Sequence, residues 1–465
     1  MAGYFEIGEQ KVRPGAYFNV QKRGNDNAFG AVDGVVAVLF KSDFGPLCRA
    51  TELAAEDGYT AVFGDAGTTD AMREALYGGA VKLVACRVGN GGTAATTKLA
   101  AATGGVNLTA KYPGSKVFTV TVRKKLEDPS RKECIIYTGT QEFEKINFAA
   151  GENEVSSLVE AFGKSKNFTA EVTEDGTGIV TEVAQQEFTA GTDPEAETAD
   201  YSNALEEIER YYFNTICVDT EDAAVHALVS AFLDRIYEAG QFGIAVVAEK
   251  AKDFEERLEA AAGYNKENMI YIINPSVSAG TEVLDGYQTA AMIAGMIAAH
   301  PSNQSLTHTV IERYTELGEL LTNSQIIKAE QSGCLVLSRN SENEIWIDSA
   351  INTLVNPDED HDEGWKKIRR VKTRYELLYR ANAQADALVG KVDNDTNGRA
   401  TITAKIQNIC NTMVQEGKLT SATVAEADGY IADGDSCYFT IDVVDKDSAE
   451  HIYMFYRFQF STISE

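Results

Sequence analysis

The chain has 465 residues, with 70 acidic and 42 basic side chains and a formal net charge of −28. At roughly 150 residues per domain, this length predicts about three domains. The acidic balance argues against a general nucleic-acid-binding protein, which needs a basic surface, and against contact with an anionic membrane. We therefore expect no nucleic-acid partner and no membrane contact by this chain.

The start of the chain lacks the basic and apolar regions of a signal peptide, so we expect a protein made in the cytosol. The longest apolar run, TAAMIAGMIAAH at 289–300, is far shorter than the ~20 residues that span a bilayer. Seven scattered cysteines without a CxxC motif predict reduced thiols, most of them buried.

Residues 1–25 lack a helical period and are predicted to form an arm. In residues 26–100, strand-forming and helix-forming runs alternate, which predicts α/β structure. The run GVVAVLF at 34–40 predicts a buried strand, and TTDAMREALYGG, with a Thr/Asp cap and terminal glycines, predicts a helix. AVKLVACRVG predicts a second buried strand, and the glycine-rich stretch 89–98 is expected to be a loop.

The residue pattern changes in 101–195, where short strand-forming runs alternate with turn residues. This pattern predicts a small β-domain inserted into the chain. A polar, acidic exit linker is expected at 189–202. The predicted strands lie at 117–122, 134–139, 168–172 and 178–183.

From 203 to 350 apolar strands alternate with helices, which predicts a parallel sheet covered on both faces. The expected elements are strands that start at 214, 243 and 269, helices at 221–238, 251–262 and 285–299, and a β pair within 334–349.

From 351 to 445 an acidic loop precedes two long helices, predicted at 364–389 and 399–416, and a strand at 437–444. Residues 446–465 contain a last apolar strand, 451–460. The predicted fold class is α/β and multidomain. It comprises an α/β core with a parallel sheet, a small inserted β-domain, and extended N- and C-terminal arms.

No spacing in the sequence carries catalytic or metal-binding chemistry. Residues 393–398, DNDTNG, open like a calcium loop, but Ala404 stands where a bidentate glutamate is needed. The five histidines form no HExxH motif, and no phosphate loop or nucleophile elbow is present. We expect no catalytic residue, no cofactor and no metal, and we interpret DNDTNG as a turn with a helix cap.

The stretch 364–380, GWKKIRRVKTRYELLYR, is a basic island in the acidic chain. On a helix its apolar residues fall on one side and most of its cations on the other, with Lys372 and Leu377 as exceptions. Three explanations stay open. The cations pair with the preceding acidic loop, they dock onto an acidic partner surface, or, as the weakest option, they bind nucleic acid.

The last predicted strand, HIYMFYRFQF at 451–460, is apolar on both faces and contains no proline. Such a strand is an aggregation hazard when it is unpaired. It either pairs within its own domain or adds to a sheet of another chain. One face carries Ile452, Met454, Tyr456, Phe458 and Phe460, and the other carries Tyr453 and Phe455.

Several segments, in this order along the chain, resemble the contractile tail sheath proteins of bacteriophages and phage-tail-like particles. In the second of them, Val117 and Phe118 replace the usual Gly-Asn. The segments are RPGAYFNV near the start, AKYPGSKVFTVTV (110–122), DGYQTAAMIAGMIAAHPSNQSLTHTVI, IWIDSAINTLVN and GKVDNDTNGRATITAKI.

The resemblance implies a structural subunit that forms stacked hexameric rings, wound helically around an inner tail tube protein. Contraction of this sheath drives the tube through a cell envelope. The implied partners are copies of this chain, the tube, and baseplate and tail terminator proteins. The implied location is a virion tail or phage-tail-like particle, assembled in the bacterial host cytoplasm. The inserted β-domain would face outward, and residues 351–445 would lie near the tube.

The resemblance also suggests roles for residues. The cationic face of the basic stretch becomes the candidate tube contact, and both termini become linking arms that complete a sheet on a neighbouring subunit, with 445–451 as a hinge. The tube-contact candidates are Lys366, Lys367, Arg370 and Arg374. The N-terminal linking candidates are Arg13, Pro14, Gly15, Ala16, Tyr17, Phe18, Asn19 and Val20. The C-terminal ones are Ile452, Tyr453, Met454, Phe455, Tyr456, Arg457, Phe458 and Phe460.

Two other classes of protein remain as alternatives. The first is an α/β enzyme with an inserted β-domain, which would need titratable residues clustered where the parallel strands end. Asp219, Glu249 and Asn274 end three strands, but no nucleophile or base is evident beside them. The second is a monomeric binding module, which the apolar C-terminal strand disfavours.

Overall fold

The structure is a computed structural model that describes residues 3–4, 17–18, 33–173, 175–249, 252–358 and 361–458. Within these ranges no helix combines the length and apolar character needed to cross a membrane. Seven of the predicted linking residues lie outside the described residues: Arg13, Pro14, Gly15, Ala16, Asn19, Val20 and Phe460.

The strands, in chain order, are β1 Gly3–Tyr4, β2 Tyr17–Phe18, β3 Val35–Phe40, β4 Ala50–Ala54, β5 Lys82–Arg87, β6 Ala94–Thr103, β7 Gly105–Pro113, β8 Thr119–Lys124, β9 Arg131–Thr138, β10 Gln141–Ala149, β11 Phe168–Val172, β12 Thr177–Val180, β13 Val183–Glu187, β14 Thr215–Val218, β15 Ile244–Ala248, β16 Met269–Ile272, β17 Ser276–Ala279, β18 Glu282–Asp285, β19 Glu316–Leu317, β20 Cys334–Leu335, β21 Leu337–Arg339, β22 Ile345–Ile347, β23 Leu419–Glu426 and β24 Phe439–Asp445.

The helices are α1 Thr60–Phe63, α2 Asp70–Tyr77, α3 Glu154–Phe162, α4 Thr198–Ile208, α5 Ala223–Glu238, α6 Phe254–Tyr264, α7 Gly286–Ala299, α8 Asn323–Gln331, α9 Ile368–Leu388 and α10 Thr396–Gln415, with a short 3-10 turn at Glu363–Lys366 before α9.

A seven-stranded sheet forms the centre of the fold, in the order β20-β16-β15-β14-β3-β5-β4. All neighbouring strands are parallel except β4, which runs antiparallel to β5. The inner strands are buried on both faces, as their continuous apolar runs predict. The predicted α/β class with a parallel sheet is therefore confirmed.

Helices cover both faces of this sheet. One core lies under α2, α7 and the start of α9, and the other lies under α4, α5, α6 and α8. The α2 and α7 helices approach so closely that a Cβ atom on Gly295 would lie 2.1 Å from the Ala75 carbonyl oxygen. Glycine is therefore required at this crossing.

The chain from Ala94 to Glu187 forms two four-stranded sheets, β10-β9-β8-β13 and β11-β7-β6-β12, around a core of their own. The expected loop at 89–98 is wrong in its second half, because β6 starts at Ala94. Its Ala/Thr-rich sequence gives a weak strand signal. The expected linker 189–202 is also partly wrong, since α4 begins at Thr198 with a capping box on Glu197.

Arg87 joins the central sheet to this β-rich region. Its fully buried guanidinium donates to the carbonyl oxygens of Ser42, Gly45 and Pro113, with the last bond measuring 2.8 Å. Burial lowers the pKa of Arg87 to about 10. The side chain therefore satisfies backbone groups from the loop after β3 and from the end of β7.

The C-terminal part contains α9, α10 and the antiparallel hairpin β23–β24, with a small core of its own. Asp395 caps α10 by accepting from the Gly398 N–H at 2.7 Å, so DNDTNG is a turn with a helix cap, as predicted. The predicted strand 451–460 does not form in the described part, because residues 451–458 have no regular secondary structure.

Candidate functional site

The basic stretch begins in the 3-10 turn at Glu363–Lys366 and continues into the first half of α9, and the surrounding elements bury more of it than the sequence predicts. Ile368, Val371 and Tyr375 enter the core beneath the central sheet. Leu377, placed on the cationic side by helical geometry, is instead buried in the C-terminal core, because α10 and the hairpin cover that side. The helix thus has two apolar contacts, and its exposed cationic strip is narrow.

Of the four tube-contact candidates, Lys366 and Lys367 directly precede α9, and Arg370 and Arg374 lie in its first two turns; all four are half-buried. Lys366 donates to the Glu330 carbonyl oxygen at 2.9 Å, and burial lowers its pKa. The other three pair with carboxylates. Lys367 lies 2.8 Å from Asp447, and Arg370 and Arg374 both contact Asp445.

Arg370 and Asp445 form a two-point contact. The Arg370 Nε and Nη2 atoms donate to the two carboxylate oxygens at 3.0 Å and 2.7 Å, a fork geometry that strengthens ion pairs. Gly364 makes room for this guanidinium, since a Cβ atom there would lie 2.0 Å from Arg370. Burial alone would raise the pKa of Asp445, but the Arg370 hydrogen bond and the Arg374 charge hold it below its usual value.

We call residues 445–450 the connector, because they link β24 to the terminal residues. Its acidic side chains supply most of the partners of the α9 cations, and Arg369 donates to Ser448 at 2.7 Å. The preceding acidic loop contributes Asp362, which lies 3.2 Å from Arg374. Asp362 also lies 3.9 Å from Arg370, so the sequence-based explanation by that loop is true for two pairs. The main partner of both arginines is Asp445, which lies much later in the chain.

We call residues 451–458 the terminal segment. Its large apolar side chains are solvent-exposed, from 67% at Met454 to 95% at Phe458. No strand pairing involves the terminal segment. Of the N-terminal candidates, Tyr17 and Phe18 form β2, which pairs in parallel with β1.

The β23–β24 hairpin offers an edge beside α9. Neither outer strand of this hairpin pairs with a further strand among the described residues. A cleft of about 330 Å³ lies between β24 and α9, and its apolar walls include Trp365, Leu378, Ile441 and Val443. An unpaired edge beside an apolar cleft is suited to accept an extended peptide.

The carboxyl end of the parallel sheet holds polar residues that the fold itself uses. Asp219 accepts from the Lys41 N–H at 2.9 Å and from the Tyr201 hydroxyl at 2.6 Å. Asn274 exchanges two hydrogen bonds with the Leu337 backbone.

Glu249 pairs with Lys252 and accepts from the Tyr271 hydroxyl at 3.2 Å. These contacts hold neighbouring elements together. Across the described ranges, no group of three or more His, Cys, Asp or Glu side chains is placed to bind a metal.

Sequence reasoning missed the connector as the partner of the basic stretch. It assigned DKDSAEH a hinge role, whereas Asp445, Asp447 and Glu450 are bound to α9. The available signal was weak, since this short run has three acids and one lysine, whereas the acidic loop directly before the basic stretch has more acids and lies closer in sequence. The contact itself depends on the hairpin bringing residue 445 back to α9.

Comparison with known proteins gives the fold a family context. Residues 195–353 match the family model of the phage tail sheath protein central domain. The uncharacterized protein YqbK of Bacillus subtilis (strain 168) is 24% identical over 402 residues, which are 83% of this chain and 82% of that protein.

Solved structures share the fold over nearly the whole chain. The sheath tail protein of Desulfitobacterium hafniense has a TM-score of 0.69 at 21% identity, covering 93% of this chain and 100% of its own. The contracted helical sheath of the anti-feeding prophage has a TM-score of 0.53 at 12% identity, covering 97% and 99%. The resemblance predicted from the sequence is confirmed: residues 195–353 match the phage tail sheath central domain model, and the chain has the fold of tail sheath proteins.

Proposed function

We propose that the chain is the structural subunit of a contractile tail sheath. It would polymerise as stacked hexameric rings around an inner tube protein and contract to drive that tube through a cell envelope. The observation that carries the proposal is the exposed, apolar terminal segment on a chain with the sheath fold. A stable monomer rarely leaves so many large apolar side chains in water.

The terminal segment would link subunits by adding a strand to the β23–β24 edge of a second copy. Backbone hydrogen bonds would supply affinity, and side chains on alternate positions would set the register. The face with more apolar groups would enter the cleft beside β24. The unpaired edge and the apolar cleft walls support this arrangement. Residues 13–20, among them Tyr17 and Phe18, would form the N-terminal link.

The cationic strip of α9 remains our proposed tube contact, through Lys366, Lys367, Arg370 and Arg374. These cations already pair within the chain, so an acidic tube surface would have to share them with the connector or displace it. We also propose the domain division predicted from the sequence, with the β-rich region outward and 351–445 near the tube. Baseplate and tail terminator proteins would cap a particle assembled in the host cytoplasm.

Negative-stain electron microscopy of the purified chain tests the proposal. We expect hollow helical tubes from the full chain and none from a chain that stops after Glu450, because the connector is then intact and only the linking segment is lost. Two variants of full length separate the faces of the segment. Tubes should disappear with Ile452→Ser, Met454→Ser, Tyr456→Ser and Phe458→Ser together, and persist with Tyr453→Ser and Phe455→Ser. Monomers from the full chain, even with its tube protein, would refute the proposal.

The tube contact needs a separate control, because reversing the cations also releases the connector. Co-sedimentation with the tube protein would compare the reversed set, Lys366→Glu, Lys367→Glu, Arg370→Glu and Arg374→Glu, with a neutralised connector, Asp445→Asn, Asp447→Asn and Glu450→Gln. We expect the first to lose tube binding and the second to keep it. If the chain with reversed cations binds the tube as well as the chain with the neutralised connector, the α9 cations do not contact the tube.

A further inference from the structure

The cationic strip of α9 and the acidic connector match one another in charge and position. Lys367 lies 2.8 Å from Asp447 and 3.2 Å from Glu450. Arg370 and Arg374 share Asp445, at 2.7 Å and 3.0 Å. The acidic residues of the connector are thus all engaged by the cap residue Lys367 and the first two turns of α9.

Hydrogen bonds outside the ion pairs also fix these six residues. The Lys446 N–H donates to the Lys418 carbonyl oxygen at 3.2 Å, and Glu450 accepts from the Ser305 hydroxyl at 2.9 Å. Together with the Arg369–Ser448 bond, these contacts attach the connector to three different parts of the body. The attachment is therefore a built site, and not one isolated surface pair.

The contacts end abruptly at Glu450. Beyond it, Ile452 is 73% and Phe455 is 92% exposed. The hydrogen bond inside the terminal segment joins Tyr456 to Met454, which lie two positions apart. The boundary between the attached and the projecting chain thus falls at residue 451 and not at residue 445.

We propose that the basic strip of α9 is an ionic clasp that holds the connector on its own subunit. The clasp fixes the point from which the terminal segment projects, so only the residues after Glu450 are available to another copy. The binding of the terminal segment to another copy rests on the proposed function, whereas the clasp is a property of the single chain. Its charge pairs predict that salt weakens it, since the Debye length falls to about 3 Å at 1 M salt.

Trypsin provides the test on the full chain in monomeric form, because Lys446 lies inside the clasp and Arg457 lies beyond it. Mass spectrometry of the released C-terminal fragments gives the cleavage rate at each site. A synthetic peptide of residues 440–465 supplies the same two sites without the clasp. We expect the Lys446-to-Arg457 rate ratio to be about tenfold or more lower in the protein than in the peptide, since cleavage needs local opening. In 1 M sodium chloride the two ratios should converge.

Two variants distinguish the loss of the charge from a general loss of structure caused by the substitution. The Lys367→Glu chain should be cleaved faster at Lys446, whereas Lys367→Arg, which keeps the charge, should keep the protection. The salt experiment uses the wild-type chain, so the test does not depend on a variant that folds. Equal ratios in protein and peptide, or protection unaffected by salt, would overturn the clasp. If protection is found but no tubes form, the clasp stands and the proposed linking role fails.

Discussion

Arg370 and Asp445 lie 75 positions apart in the chain and are joined by two hydrogen bonds with their side chains mostly buried. We expect a double-mutant cycle of Arg370→Ala and Asp445→Ala, read by urea unfolding, to give a coupling free energy of about 1–3 kcal/mol.

The control is the exposed pair Arg235–Glu209, which should couple by less than about 1 kcal/mol, because water solvates both groups. Equal coupling at the two sites would show that burial and fork geometry add nothing.

The α2–α7 crossing gives a prediction about packing. Gly295→Ala should lower the free energy of unfolding by about 2–3 kcal/mol, since the new methyl group would overlap the Ala75 carbonyl oxygen and force the helices apart.

Gly263→Ala in α6 is the matched substitution, because a Cβ atom there meets nothing within 4 Å. It should raise the free energy of unfolding by about 0.5–1 kcal/mol. Thermal unfolding of both variants decides the matter, and a stabilised Gly295→Ala chain would contradict the observed crossing.

A buried ion pair lies inside the β-rich region. Lys132 is 2.8 Å from Glu154 and also donates to the Val180 carbonyl oxygen, with both charged side chains almost fully buried. Lys132→Met should cost about 3–5 kcal/mol of unfolding free energy, because Glu154 is left charged in the interior. Lys145→Met should cost less than about 1 kcal/mol, since Lys145 is partly exposed and Glu133 keeps Arg123. Chemical denaturation of the two variants tests this difference, and similar costs would contradict it.

Glu330 makes stability depend on pH. Burial, followed by repulsion from Asp348, raises its pKa from 4.5 to about 7. A carboxyl whose pKa is higher in the folded state contributes stability below its unfolded pKa, and that contribution is lost as pH rises toward 7. The Tm of the wild type, relative to Glu330→Gln, should therefore fall between pH 4.5 and pH 7 and then level off. A difference that stays constant over this range would show that Glu330 ionises normally.

The buried strands were predictable because their apolar runs are continuous. GVVAVLF and the runs that became β14, β15 and β16 all entered the central sheet. β6 was missed because AATTKLAAAT has little apolar character and is held by its partners β7 and β12. Local sequence thus identified the strands that carry the core, and not those that tertiary pairing stabilises.

The same distinction between local sequence and tertiary contacts applies to the candidate site. The amphipathic α9 was evident from residue spacing, whereas the partners of its cations were not, because Asp445 returns to α9 through a hairpin. The terminal strand illustrates the opposite error. Its alternating apolar residues have strand character, but a strand needs a neighbour, and no strand pairing involves residues 451–458 of the single chain.

Arg87 has a consequence for how any larger assembly could change shape. Its guanidinium holds carbonyl groups of the central sheet's loops and of the β-rich region in one buried cluster, and bending the chain at that point would leave a charge and several carbonyl oxygens without partners. The β-rich region and the sheet are thus expected to move as a single rigid piece. If copies of this chain assemble as proposed, any change in the length of the assembly would have to occur at the contacts between copies.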